Sequence, residues 1–149
     1  MRLWAALYAA IWVVLLEFLL AMIPQGQPFL SYLHDALGFV IVGIAYYNYA
    51  ALRQTTVPGR VKRIAFATFY LAVAMGVLGL LLVFHVGAGW PILFGLTVWN
   101  LIIFIHVVNA FAIITQMAAV AIAYDMWEDK EFLQDTHPGE VPPAVVASR

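Results

Sequence analysis

Four ionisable side chains lie within or at the ends of long apolar stretches of this 149-residue sequence: Glu17, His34, His85 and His106. A polar group placed in hydrocarbon without a hydrogen bond, a proton partner or a metal is costly. An imidazole can bind a metal or carry a proton near neutral pH, and a carboxylate can do both as well. These four groups are therefore the candidates for metal binding or proton transfer.

The composition is that of a membrane protein. Hydrophobic residues make up 65% of the chain and charged residues 10%, and the mean hydropathy is +0.95. A soluble domain of this size needs a more highly charged surface, so the sequence predicts an all-α integral membrane protein. The net charge of -1 leaves no basic stripe to neutralise phosphates, which excludes a nucleic-acid partner. The absence of cysteine excludes disulfides, iron–sulfur clusters and thiolate metal sites.

Four apolar stretches are long enough to cross a lipid bilayer as helices, which rise about 1.5 Å per residue. They run from Leu3 to Ile23, from about Phe29 to Leu52, from about Ile64 to Phe84 or His85, and from about Trp99 to Asp125. The first lacks the cleavage motif of a signal peptide and is counted as a span. The segment from Ile92 to Val98 either extends the fourth helix backwards or lies along the membrane interface.

These spans predict an up-and-down bundle of four transmembrane helices as one domain, residues 1–125. The acidic residues 126–149 are then a cytoplasmic tail, with a short helical extension followed by a disordered end.

Positive charge sets the expected orientation. Arg53, Arg60, Lys62 and Arg63 lie between the second and third spans, whereas the turns after the first and third spans contain no lysine or arginine. Because Lys- and Arg-rich short loops stay in the cytoplasm, we expect both termini and this basic loop to be cytoplasmic in a plasma membrane. The four candidate groups then lie in the outer half of the membrane, within about 10 Å of one depth if the fourth helix starts near Trp99.

Small residues accompany two of the histidines. Residue i+4 of an α-helix lies on the same face as residue i, so Gly38 lies beside His34 and Ala110 beside His106. The second and fourth helices of a sequential bundle are diagonal partners, which places these two imidazoles opposite each other. Shallow grooves beside two facing imidazoles favour a haem bound through both of them. Small residues also serve close helix packing without any ligand, so a structural interpretation remains open.

The sequence around both histidines resembles that of membrane b-type cytochromes. HDALGFVIVG, from His34 to Gly43, is similar to the H-x-x-x-G start of a haem-carrying helix, and IHVVNAF, from Ile105 to Phe111, resembles the L-H-x-x-x-A segment of the same group. The arrangement is also similar to half of a haem A synthase, whose bundles bind haem through histidines of the second and fourth helices. The resemblance implies His34 and His106 as the axial ligands of one haem b.

We therefore expect an electron-transfer protein, either a cytochrome or a haem-bearing subunit of a respiratory complex, with partner membrane subunits or a quinone as its electron partners. Glu17 is then a proton carrier or a hydrogen-bond partner of a histidine. A second interpretation is a structural subunit whose histidines bond to Glu17, Asn100 or Asn109. A third is a membrane metalloenzyme in which His85 joins Glu17 and the other two histidines as a ligand of copper, zinc or iron. Asn100, Asn109 and Gln116 are expected to link helices.

Overall fold

Four α-helices make up the fold. The structure, a computed structural model, describes residues 3–23 and 28–136, with side chains described as far as residue 130. The helices are α1 (Leu3–Met22), α2 (Pro28–Arg53), α3 (Gly59–Val83) and α4 (Val98–Thr136). Each contains a stretch long and apolar enough to cross a membrane. The prediction of an all-helical chain with four such helices is therefore confirmed.

The sequence leaves open whether α4 starts near Ile92 or near Trp99. In the structure α4 begins at Val98, next to Trp99. Side chains of the first turn explain the position. The backbone N–H and the hydroxyl of Thr97 both donate to Oδ1 of Asn100, at 2.9 and 2.8 Å, and the N–H of Asn100 donates to the Thr97 hydroxyl at 3.3 Å. These bonds satisfy donors that a helix start leaves free. Asn100 is thus engaged within its own turn and, contrary to expectation, does not link helices.

The stretch that begins at Ile92 belongs to a defined turn, the α3–α4 loop, residues 84–97. Within it, the N–H of Val98 donates to the carbonyl of Trp90 at 3.0 Å, which brings the two ends of the turn together. Gly87 has a φ of +76°, and a Cβ there would lie 2.6 Å from the Cβ of Val98. Only glycine fits a left-handed conformation so close to the start of α4.

The helices form a ring. Each packs against the next in sequence and α1 packs against α4, whereas α1 and α3, and likewise α2 and α4, are not neighbours among the described residues. Short connections and this order of contacts give α2 and α4 the diagonal relation that the sequence predicts.

The core fills two of three levels along the bundle. At the level of the α2–α3 connection, one cluster of buried side chains comprises Leu7, Leu52, Val57, Val61, Ala65, Val120, Ala121 and Tyr124. A second cluster lies towards the middle and comprises Ala10, Val14, Ile41, Ala45, Ala72, Ile113 and Met117. Beyond the second cluster, towards the α3–α4 loop, close packing gives way to a cavity.

Two polar contacts join α3 to α4. Nδ2 of Asn109 donates to the carbonyl of Leu71 at 2.9 Å, and the hydroxyl of Thr68 donates to Oε1 of Gln116 at 2.9 Å. Hydrogen bonds of this kind fix the register of helices in an apolar environment. The predicted linking role of Asn109 and Gln116 is therefore confirmed.

The helix α4 continues past the predicted boundary at residue 125, which lies within it. Its 39 residues correspond to about 58 Å, well beyond the thickness of the hydrocarbon core of a bilayer, about 30 Å. The predicted helical extension is thus present. The disordered end predicted within 126–149 falls mainly on residues 137–149, and the predicted turn after the first span on 24–27, which lie outside the described residues.

Candidate functional site

Glu17, His34 and His106 line one cavity of about 390 Å³ between the four helices. Its size falls in the range of small-molecule sites, about 300–1,000 Å³. The wall is apolar except for these three side chains and Asp35. A largely apolar cavity with a few polar groups is the usual form of a cofactor or ligand site.

The two imidazoles come within reach of one metal ion. Their ring centres lie 6.4 Å apart, and the ring planes are inclined at 54°. Since His34 belongs to α2 and His106 to α4, the rings approach each other from diagonal helices. A metal bound to one nitrogen of each ring at about 2 Å would place the ring centres roughly 6 Å apart. The observed separation therefore fits an ion held between the two rings.

A carboxylate accompanies one ring of the pair. Oε1 of Glu17 lies 2.9 Å from Nδ1 of His34, an ion-pair distance. The carboxylate occupies the Nδ1 side, so Nε2 is the atom of His34 left to bind a metal. Histidines that bind metals commonly direct the other ring nitrogen to a carboxylate or a carbonyl, which orients the ring.

Polar atoms around the cavity are left unsatisfied. The buried atoms without a hydrogen-bond partner, among the described residues, include Oε2 of Glu17 and Nδ1 of both His34 and His106. Leaving such atoms unpaired inside an apolar bundle costs free energy. Apart from Nδ1 of His34, which lies beside Glu17, these atoms leave unused hydrogen-bonding capacity on the wall of one cavity.

Small residues keep the cavity open beside these polar groups. Gly38, Gly76, Gly79 and Ala110 all contribute to its wall. A Cβ on Gly79 would lie 3.6 Å from Cε1 of His106, and a Cβ on Gly38 would lie 3.8 Å from Oε1 of the glutamate. Side chains larger than alanine at either position would enter the space next to the imidazoles.

His85 lies elsewhere. Its ring is exposed and stacks on Trp99, with ring centres 6.1 Å apart, and its Nδ1 lies 3.1 Å from the carbonyl of Val83. It does not line the cavity. Within residues 3–23 and 28–136, no group of three or more His, Asp or Glu side chains is close enough to hold a metal. The ligand set that needs His85 beside the other histidines is not assembled in that part of the chain.

Two features of the wall escaped the sequence. Asp35 lines the cavity next to His34, and its signal was the same as that of Glu17, an acidic residue in an apolar run. Phe18 is the second: it packs on Phe111, an aromatic residue that the sequence already offers for edge packing, with ring centres 5.2 Å apart, and helps close the side between α1 and α4. Neither position could be assigned to the cavity without knowing how far each helix is rotated about its axis.

The fold and the cavity together define a class, a four-helix protein with an apolar site that presents two facing histidines. Comparison with protein-family models, with curated proteins and with solved structures gives no match to this chain. Its function is therefore argued from the chemistry of the cavity.

Proposed function

We propose that this chain is a membrane electron-transfer protein in which His34 and His106 ligate the iron of one b-type haem. The observation that carries the proposal is the pair of imidazoles from diagonal helices, with ring centres 6.4 Å apart, on the wall of one apolar cavity. A bis-histidine site needs two imidazole nitrogens on opposite sides of an iron and little else from the protein. The electron partners are a quinone or neighbouring membrane subunits.

The residues of the cavity fit such a group in three respects. The rings are separated by the distance that one metal requires, the glycines leave space beside them, and Nδ1 of His106 is buried without a hydrogen-bond partner among the described residues. When bound, haem supplies one-electron redox chemistry at its iron. The chain itself supplies the axial nitrogens, an apolar wall that limits water, and Glu17 beside His34 to fix the ring.

The surface of the bundle supports a place in the membrane. Trp12, Phe39 and Phe104 lie on three different helices, and each exposes about two-thirds of its side chain, 68%, 65% and 65%. Apolar surface of this kind on all sides of helices long enough to span is expected to face lipid. With the basic loop in the cytoplasm, both termini are cytoplasmic and the cavity lies towards the outer face of the plasma membrane.

Two of the three hydrogen-bond partners expected for a structural subunit form other bonds. That interpretation requires the histidines to bond to Glu17, Asn100 or Asn109, but Asn100 is engaged in its own turn and Asn109 donates to Leu71. Only Glu17 remains as a partner, and only for His34. Nδ1 of His106 has no hydrogen-bond partner among the described residues, whereas the haem proposal uses both rings.

Absorption spectra of the purified protein test the proposal. The protein is produced with an ample haem supply, and spectra are recorded in the oxidised and reduced states. Two axial imidazoles give a low-spin iron, so we expect a sharp Soret band that shifts on reduction and resolved α and β bands. A protein that stays colourless, and that takes up no haem when haem is added in detergent, contradicts the proposal.

Removing the carboxylate beside His34 should weaken haem binding. In Glu17→Ala, His34 loses the group at its Nδ1, and losses of about 10–100-fold are typical when such an orienting partner is removed from a metal site. A titration with haem measures the change in Kd. Asp35→Asn is the matched control, because Asp35 lines the same cavity but makes no ion pair with either imidazole among the described residues.

Equal haem affinity in Glu17→Ala and in the wild type would show that Glu17 does not orient His34. The role of Glu17 as a proton carrier stays a separate prediction, since its contact with His34 serves either role.

A further inference from the structure

The α3–α4 loop presents an unusually apolar surface. Phe94 at its tip exposes 92% of its side chain. Five further large apolar residues of the loop are half or more exposed: Phe84, Trp90, Ile92, Leu93 and Leu96. Scattered exposed apolar residues are ordinary in proteins, but a contiguous group of them marks an interaction surface.

The shape of the loop keeps these side chains outward. Phe94 has a φ of +54° and Gly95 a φ of +77°, so the tip turns through two left-handed residues. A bulky residue rarely adopts this conformation. The base of the turn is closed by the bond from Val98 to Trp90 and by the close passage of Gly87 past α4. Phe94 is therefore held away from the bundle by the backbone.

The α3–α4 loop and the α2–α3 connection differ in charge. Between Arg63 and Asp125 the sequence contains no Asp, Glu, Lys or Arg, so the part of α3 after Arg63, the loop and the first part of α4 form one stretch without these charged residues. The connection between α2 and α3 is instead flanked by basic residues on the ends of both helices, and Lys62 in the first turn of α3 donates to the carbonyls of Arg53 and Thr55. The first connection suits an apolar medium and the second suits water and lipid headgroups.

The apolar surface of the loop continues onto the helices that flank it. Val83, at the end of α3, is about half exposed, and Leu101 and Phe104 are exposed on the first turns of α4. These helix surfaces are the ones expected to face lipid. The occupant of the loop surface is therefore expected to be the same as that of the helix surfaces.

We propose that the α3–α4 loop is a membrane-interface anchor whose tip, with Phe94, inserts between the headgroups and acyl chains of the outer leaflet. Trp90 and Trp99 suit the interfacial level at which tryptophan is enriched. Because the loop contains no Asp, Glu, Lys or Arg, insertion at a pH at which His85 is neutral depends on apolar contact and not on anionic lipids. The anchor rests on the membrane placement proposed above and not on haem. Since Val83 lines the cavity and directly precedes the loop, the anchor also sets the depth of the cavity.

The chain has no cysteine, so single-cysteine variants can each carry one nitroxide label in bilayer nanodiscs. The label at Phe94→Cys is compared with two references, Val77→Cys on the exposed face of α3 and Thr56→Cys in the α2–α3 connection. Spin relaxation by oxygen, which concentrates in lipid, is compared with relaxation by a water-soluble nickel chelate. We expect an oxygen-to-nickel ratio at Phe94→Cys several-fold above that at Thr56→Cys and nearer to that at Val77→Cys.

The outcomes separate the two proposals. If the label at Phe94→Cys resembles Thr56→Cys while Val77→Cys reports lipid, the anchor is wrong and the membrane placement stands. If Val77→Cys also reports water, the membrane placement itself fails. A label at Phe94→Cys that neither reagent reaches would show that protein covers the tip, which overturns the anchor. The ratio should be equal in zwitterionic nanodiscs and in nanodiscs containing anionic lipid, and a need for anionic lipid contradicts an apolar anchor.

A second pair of variants tests the shape of the loop. Added to Phe94→Cys, Gly87→Ala forces a Cβ against Val98 at a positive φ, whereas Gly89→Ala meets nothing within 4 Å. We expect Gly87→Ala to lower the oxygen-to-nickel ratio at Phe94→Cys and Gly89→Ala to leave it unchanged. If Gly87→Ala leaves the ratio unchanged, the backbone does not present Phe94 to the leaflet and the anchor is wrong in this form.

Discussion

His34→Ala and His106→Ala are each expected to abolish the low-spin haem spectrum. Their ring centres lie 6.4 Å apart, so the two imidazoles act as a pair, and removing either leaves an iron with one protein ligand. With a single axial imidazole, either the haem is lost or its iron is high-spin. We expect the affinity for haem to fall by more than the loss of about 10–100-fold typical of an orienting partner. Haem content and reduced spectra of the purified variants measure the change.

His85→Ala is the matched control for these substitutions. It removes the same type of side chain, but His85 is exposed, stacks on Trp99 and does not line the cavity. Its spectrum and haem content should equal those of the wild type. Far-ultraviolet circular dichroism shows whether each variant keeps its helices. Retention of a low-spin spectrum in either His34→Ala or His106→Ala, in a folded protein, would contradict the assignment of the ligands.

The similar depth of the two histidines on diagonal helices could be predicted from the lengths and the order of the apolar runs. Long apolar runs give the helices, their order gives the diagonal relation of α2 and α4, and counting residues from each helix end gives depth. The small neighbours Gly38 and Ala110 follow from the helical repeat. The depth of His106 matches that of His34 only because α4 starts next to Trp99 and not at Ile92.

The start of α4 could not be predicted, because composition does not distinguish an apolar helix from an apolar loop. The run beginning at Ile92 is as hydrophobic as the helix that follows it. Its conformation is decided by Gly87 and Gly95 at positive φ and by the Thr97–Asn100 bonds. These are local backbone effects that hydrophobic pattern does not contain.

Rotation of the helices about their axes is the other missing quantity. A helix that is apolar all round has no polar stripe from which its inward face can be read. The contact between Glu17 and His34, the place of Asp35 on the wall and the outward position of His85 all depend on that rotation. Counting residues along the helices gives these groups a similar depth, but helix rotation determines which of them are in contact.

Filling the space beside His106 should prevent haem binding without harming the fold. A Cβ on Gly79 lies at ordinary contact distance from Cε1 of His106, 3.6 Å, so Gly79→Ala should bind haem almost normally. The further methyl groups of Gly79→Leu must enter the cavity or push the imidazole aside. We expect Gly79→Leu to lose most of its haem affinity, measured by titration with haem, while circular dichroism shows unchanged helix content.

Gly43→Leu is the control that separates this effect from helix propensity. Both glycines lie inside helices, so either substitution raises helix propensity by up to about 1 kcal/mol. A Cβ on Gly43, however, meets nothing within 4 Å, and Gly43 does not line the cavity. If the cavity holds no ligand, Gly79→Leu fills empty apolar space and should raise the Tm as much as Gly43→Leu or more. If haem binds between His34 and His106, Gly79→Leu instead loses the stabilisation that a bound ligand confers, and its Tm in the presence of haem falls below that of Gly43→Leu.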